Sequence, residues 1–152
     1  MRKHIGGRGF TLIEMMVASV IICILAAIAY PSLHGYMVKG KRAQAQAALL
    51  QLMQQQERYY SQNNTYLAFS SESTDPDEKL FQWWSGSGPA QSAYEIRGVA
   101  CSGASIAQCV QLDALPGTAK VDPHFRDADC RILSLSSYGQ RGASGAARHC
   151  WP

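Results

Sequence analysis

The chain has 152 residues, 47% of them hydrophobic, and sets 14 Lys and Arg against 11 Asp and Glu for a net charge of +3. So small an excess excludes nucleic-acid binding through bulk charge; such a function would need a local patch. The length leaves room for a single globular domain of about 90–100 residues beside one long helix.

Residues 1–9 form a basic leader containing Arg2, Lys3 and Arg8. It is too short and Gly-rich for an ordinary secretory n-region, and no A-x-A cut follows the apolar run behind it. Residues 10–30 are apolar or small and polar, with one charge, Glu14. At a helical rise of about 1.5 Å per residue this run spans about 30 Å, the thickness of a bilayer's hydrocarbon core. Three positive charges directly before the span predict a cytoplasmic N-terminus, while Lys39, Lys41 and Arg42 lie further beyond its other end. A carboxylate in such a run calls for a cationic partner. The sequence offers none downstream before Lys39, but an α-amino group made by cutting just before Phe10 would be one. Cys23, inside the run, reads as a small buried hydrophobe.

Gly9-Phe10-Thr11-Leu12-Ile13-Glu14 ahead of an apolar helix resembles the class III signal sequence of type IV pilins. The likeness continues through Tyr30-Pro31-Ser32, Tyr36, Lys39, Arg42, Ala43 and Glu57-Arg58-Tyr59-Tyr60, with Cys130 and Cys150-Trp151 near the C-terminus. It is specific over about residues 6–66 and architectural beyond. The resemblance implies that a prepilin peptidase cuts after Gly9 and methylates the amine of Phe10, leaving eleven charges of each sign. It implies that Glu14 pairs with the amino terminus of a neighbouring subunit during assembly. The short leader and Phe10 point to type IVa. The implied partners are other pilin subunits, the peptidase, the inner-membrane assembly platform and the membrane itself; no cofactor is expected. The implied location is a single pass through the inner membrane before assembly and an extracellular pilus afterwards.

The implied fold is α+β: a long N-terminal helix, half transmembrane and half amphipathic, packed on a small antiparallel sheet with a disulfide-bounded C-terminal loop. The divisions are the leader at 1–9, the transmembrane and filament-core helix at 10–30, and the globular domain at 31–152. Pro31 interrupts helical hydrogen bonding, and Gly35 and Gly40 weaken helicity. The helix is expected to resume from about 42 to 61, where Ala, Gln, Leu and Met dominate. Ala45, Leu49, Leu52, Gln56 and Tyr59 form one face, widened by Leu50 and Met53, opposite Gln46, Gln51, Gln54 and Arg58. Asn63-Asn64 reads as the stop; Asn63-Asn64-Thr65 also fits the N-x-T glycosylation pattern, a weak signal.

Residues 67–92 are polar and turn-rich around Leu80, Phe81, Trp83 and Trp84. This cluster is expected to pin the loop to the domain; the alternative is an exposed patch for subunit contact or adhesion. Residues 93–100, 110–115 and 131–136 read as strands of a three- or four-stranded antiparallel sheet. The four cysteines beyond the span allow three pairings. Cys101 with Cys109 would close the first hairpin, and Cys130 with Cys150 would tie down a Gly-rich stretch at 137–148; the resemblance supports the second pair more strongly. Closing a loop of about twenty residues is worth roughly 3 kcal/mol.

His34, His124 and His149 have no acid placed to orient them, and no nucleophile-elbow or zinc-helix motif occurs, so the chain reads as non-enzymatic. Asp122, Asp127 and Asp129 lack the Gly and terminal Glu of an EF-hand, and no metal site is assigned. The leading reading is a structural subunit of a type IV pilus. The alternative is a minor pilin that captures DNA for natural transformation through Lys120, Arg126, Arg131, Arg141 and Arg148, with Trp151 nearby. A type II secretion pseudopilin is a third reading, opposed by the four exported cysteines.

Overall fold

A computed structural model describes residues 10–152; the leader, with Gly9 at the expected cut, lies outside the described residues. One helix, α1, runs over Leu12–Asn63. The chain divides into two compact units, Met1–Met37 and Val38–Pro152.

In the described part of the first unit, the large apolar side chains from Phe10 to Ile28 are exposed, and α1 is long and apolar enough to cross a membrane. Its N-terminus closes with a reciprocal cap. Glu14 N–H donates to Thr11 Oγ1 (3.3 Å), while Thr11 N–H and its hydroxyl both donate to Glu14 Oε2 (2.9 Å each). Two of the helix's unpaired N-terminal donors are satisfied in this way without water.

In the second unit, α1 buries a stripe that starts with Arg42 and continues through Ala45, Leu49, Leu52 and Gln56. Leu50 departs from its expected place: it is 41% exposed, because it lies one residue past the centre of that stripe. Gln56 is fully buried, yet both ends of its amide are used, its Nε2 donating to Leu67 C=O (2.7 Å) and its Oε1 accepting from Leu67 N–H (3.0 Å). The helix ends where Asn64 turns left-handed (φ 53°), a conformation Asn tolerates.

The sheet is antiparallel in the order β1 (Tyr94–Ala100), β2 (Val110–Pro116), β3 (Leu133–Ser136), β4 (Arg141–Ala143). The register sets Ile96 opposite Ala114 and Leu112 opposite Leu135, so alternate residues reach the same core as Leu49 and Leu52. β3 starts at Leu133 rather than 131. Arg131 closes a turn back to Asp127, its N–H on Asp127 C=O at 3.0 Å, and its φ of 55° is incompatible with a strand. β4 lies inside the Gly-rich stretch, where Gly142 faces Ser134; a Cβ there would stand 2.5 Å from the Ser134 hydroxyl.

The loop at 67–92 covers the free edge of β1. Phe69 and Gly98 exchange two backbone hydrogen bonds (3.1 and 2.9 Å), and Ile96 N–H donates to Trp83 C=O (2.7 Å). Phe81 is buried, stacked on Phe69 with Tyr59 edge-on. Trp83 and Trp84 are half-buried and Leu80 is 66% exposed. The aromatic cluster therefore serves chiefly to close an edge that would otherwise invite another strand.

Candidate nucleic-acid interface

Disulfides join Cys101 to Cys109 and Cys130 to Cys150. The second encloses residues 131–149, which contain Arg131, Arg141, Arg148 and His149 and no Asp or Glu. All three arginines are exposed. Arg141, at the start of β4, lies 5.5 Å from the centre of the Trp151 ring, whose Nε1–H donates to Gly142 C=O (2.8 Å). Arg141 Nη1 also donates to Pro152 C=O (3.4 Å), and a guanidinium laid on an indole face keeps its remaining outward N–H groups available to an anion. Trp151 also lines a cleft of about 370 Å³ with Lys39, Arg42, Ala43, Gln46 and His149.

The five candidate basic residues fall into two groups. Arg131, Arg141 and Arg148 belong to the disulfide-bounded segment. Lys120 and Arg126 sit on the β2–β3 connection, and both are engaged: Lys120 Nζ lies 3.5 Å from Glu72, and Arg126 Nη1 donates to Pro123 C=O (2.7 Å) and Phe125 C=O (2.8 Å). All five are exposed, so the second group keeps its charge at the surface while its geometry is held by its own loop.

Behind the segment lies a buried polar cluster. Arg42 donates from Nε (2.8 Å) and Nη2 (2.7 Å) to the two oxygens of Asp127, whose side chain is fully buried. Tyr94 O–H donates to Asp127 Oδ2 (2.6 Å), and Cys130 N–H donates to Oδ1 (3.1 Å). Burial alone would push the Asp127 carboxyl up, but donors from Arg42, Tyr94 and Cys130 together hold it below its ordinary 3.8. Burial, then the hydrogen bond to Asp127, pushes the Tyr94 phenol well above 10.0. The Asp127 contribution to stability is therefore complete above about pH 4 and is lost as pH falls through the lowered value. The Tyr94 contribution is complete below about pH 10 and is lost as pH rises towards the raised value. The melting temperature is expected to be flat from about pH 5 to 9 and to fall on both sides, which a calorimetric pH series would measure.

The fold places Arg42 and Gln46 differently from the sequence reading. Arg42 was expected to open a helix, not to be buried, and Gln46 was expected on the polar face; instead its side-chain amide donates to the Cys150 carbonyl oxygen. Asp122 and Asp127 are occupied, Asp122 accepting from His124 N–H (2.9 Å). Among the described residues, no three His, Cys, Asp or Glu side chains group as a metal site.

Residues 31–134 match the family model described as "Type IV minor pilin ComP, DNA uptake sequence receptor", and residues 7–30 match the prokaryotic N-terminal methylation motif. The chain belongs to the ComP family of type IV minor pilins. The pilin shares 40% identity over 65 residues with the type IV major pilin protein PilA of Myxococcus xanthus, covering 43% of this chain and 30% of that one. It thus spans less than a third of that relative's length. A type IV pilin from Shewanella oneidensis is 26% identical, with coverage of 76% of this chain and 98% of that one and a TM-score of 0.45. The Neisseria meningitidis non-core minor pilin PilV is 19% identical, with coverage of 76% and 94% and a TM-score of 0.47. The apolar helix and the methylation motif are consistent with membrane anchoring followed by pilus assembly, and the family is the structural family of type IV pilins. The family match ends at residue 134, so it takes in Lys120, Arg126 and Arg131 but not Arg141 or Arg148.

Proposed function

We propose that this pilin is the DNA-binding minor subunit of its filament and that the disulfide-bounded segment is its contact surface. The observation that carries this reading is the acid-free run 131–149, with three exposed arginines held on one covalently closed segment. The description of the matching family, a DNA uptake sequence receptor, supports the ligand class. Phosphates are met by Arg131, Arg141 and Arg148, with Lys120 and Arg126 as a second group. Arg141, steadied by Trp151, is placed to be the most ordered of these contacts. Cleavage after Gly9, methylation of Phe10, pairing of Glu14 with a neighbour and a cytoplasmic N-terminus complete the proposal. They are supported by the match of residues 7–30 to the methylation motif.

Three phosphate contacts on duplex DNA predict that log K falls with log salt at a slope of about −2.7. The test is a gel shift of the full chain in detergent across a salt series. Arg141→Gln is expected to weaken binding on all sequences and to reduce the slope by about one. Binding that ignores salt, or an Arg141→Gln slope equal to wild type, would count against this surface.

A further inference from the structure

The segment bearing Arg131, Arg141 and Arg148 is fastened to α1 at both of its ends. At the Cys130 end, the peptide N–H donates to Asp127 Oδ1, and Asp127 is gripped by the paired donors of Arg42. At the Cys150 end, the carbonyl oxygen accepts from the Gln46 side chain. Arg42 and Gln46 are one helical turn apart on one face, a rise of about 6 Å. That rise closely matches the 5.5 Å between the Cα atoms of Cys130 and Cys150. β3 and β4 already hold the middle of the segment in the sheet, with Leu133 and Leu135 in the core, so what the disulfide leaves adjustable is the two ends, the turn at Arg131 and the return through Arg148. Two bonds that lead to one rigid helix, one at each cysteine, fix both ends. Both border the cleft beside Trp151, but their polar groups are largely committed within the fold: Arg42 is 8% exposed with Nε and Nη2 on Asp127, and Gln46 is half-buried with its amide on Cys150 C=O.

We infer that Arg42, acting through Asp127, and Gln46 are positioning residues for DNA binding, setting the orientation in which the three arginines reach phosphates together. The inference rests on the DNA-binding reading. Tyr94 is a second brace on the same carboxylate, from β1. Loss of the fastening leaves every arginine in the chain and Arg141 on β4, but lets the ends bearing Arg131 and Arg148 shift relative to it, so contacts are no longer made at once.

The test uses the full chain in detergent, with a mixed-sequence DNA duplex at about 50 and 200 mM salt. The replacement Arg42→Met/Tyr94→Phe/Asp127→Leu exchanges the three polar side chains of the buried cluster for apolar groups of similar size, a change that is often neutral or stabilising, and leaves one main-chain donor, Cys130 N–H, without its acceptor. It is expected to melt above Arg42→Met and below wild type, with the Cys130–Cys150 bond intact by mass. Its DNA affinity is expected to fall about tenfold at the lower salt, with a slope reduced by about one, although no arginine of the segment has been changed. Recovered stability with lost affinity separates positioning from a merely structural role. Gln46→Ala, which removes one bond and no charge, is expected to cost about threefold; it decides the matter if the triple replacement does not fold. Wild-type affinity and slope in the folded variants would overturn the inference. Failure of the wild-type chain itself to bind DNA is a separate result, which would overturn the DNA reading and this inference with it.

Discussion

Arg42→Met is expected to destabilise the second unit by about 3–5 kcal/mol at neutral pH, the typical loss when a buried ion pair is broken from one side. The cause is what remains. Asp127 would keep a fully buried carboxylate with only Tyr94 O–H and Cys130 N–H to satisfy it. Asp129, whose carboxylate lies 3.6 Å from Arg42 and whose side chain is 71% exposed, adds little, since surface pairs contribute about 0–1 kcal/mol. The pH dependence should also change sign. In the wild type Asp127 is held below its ordinary value, so acid removes stability. Without the guanidinium, burial becomes the dominant influence and raises the carboxyl, so protonation relieves the variant as pH falls from 7 towards 4.5. Urea titrations at those two pH values would show wild type unchanged or weaker in acid and Arg42→Met stronger. A variant that loses stability in parallel with wild type would show that the cluster is not the acid-sensitive element. Lys120→Met is the contrasting control: its pair with Glu72 is exposed, and its loss is expected to cost less than about 1 kcal/mol.

The elements with a strong period were legible in the sequence. The stripe at Ala45, Leu49 and Leu52 and the alternation in β1 and β2 each specify one face, and those faces meet in one core, while the apolar run forms the exposed, membrane-length part of α1. Arg42 was hidden by its type. It stands three residues before Ala45, in register with the stripe, and a charge at such a position signals a buried pair; counting it only among the charges beyond the span leaves that signal unused. Its partner could not be read, because Asp122, Asp127 and Asp129 look alike until a turn ending at left-handed Arg131 turns Asp127 inward. β4 was illegible for the opposite reason. Gly142 and Ala143 carry no apolar pattern, and the strand exists because β3 offers an edge and Cys150-Trp151 returns to cover it. The candidate interface was half legible: composition gave the arginines, but only the fold separates the three on the closed segment from the two on the β2–β3 connection.

Glu14→Ala is expected to leave membrane insertion and leader cleavage intact while removing most filaments from the cell surface, as counted by electron microscopy. Helices in lipid and helices in a filament core are both shielded from water, so transfer between them avoids losing about 25 cal/mol per Å² of buried apolar area. Assembly must therefore be steered by something other than bulk burial, and the one charge in the run at 10–30 is the available device. In the unassembled chain Glu14 is already half-satisfied. Both Thr11 donors fall on Oε2, and Oε1 has no hydrogen-bond partner among the described residues. A neighbour's Phe10 amine would complete the carboxylate without dismantling the cap, whereas a shifted subunit would leave both charges unpaired in an apolar core. Glu14→Gln separates the two roles, because glutamine also serves in this type of cap but carries no charge. It is expected to insert and be processed like wild type and to assemble as poorly as Glu14→Ala. Full piliation in Glu14→Gln would mean that the cap, not the charge, is what assembly requires. Gly9→Arg tests the preceding step: it should leave an uncut precursor in the membrane fraction, visible as a larger band, with no filaments at all, since no free amine at Phe10 would then exist for Glu14 to meet.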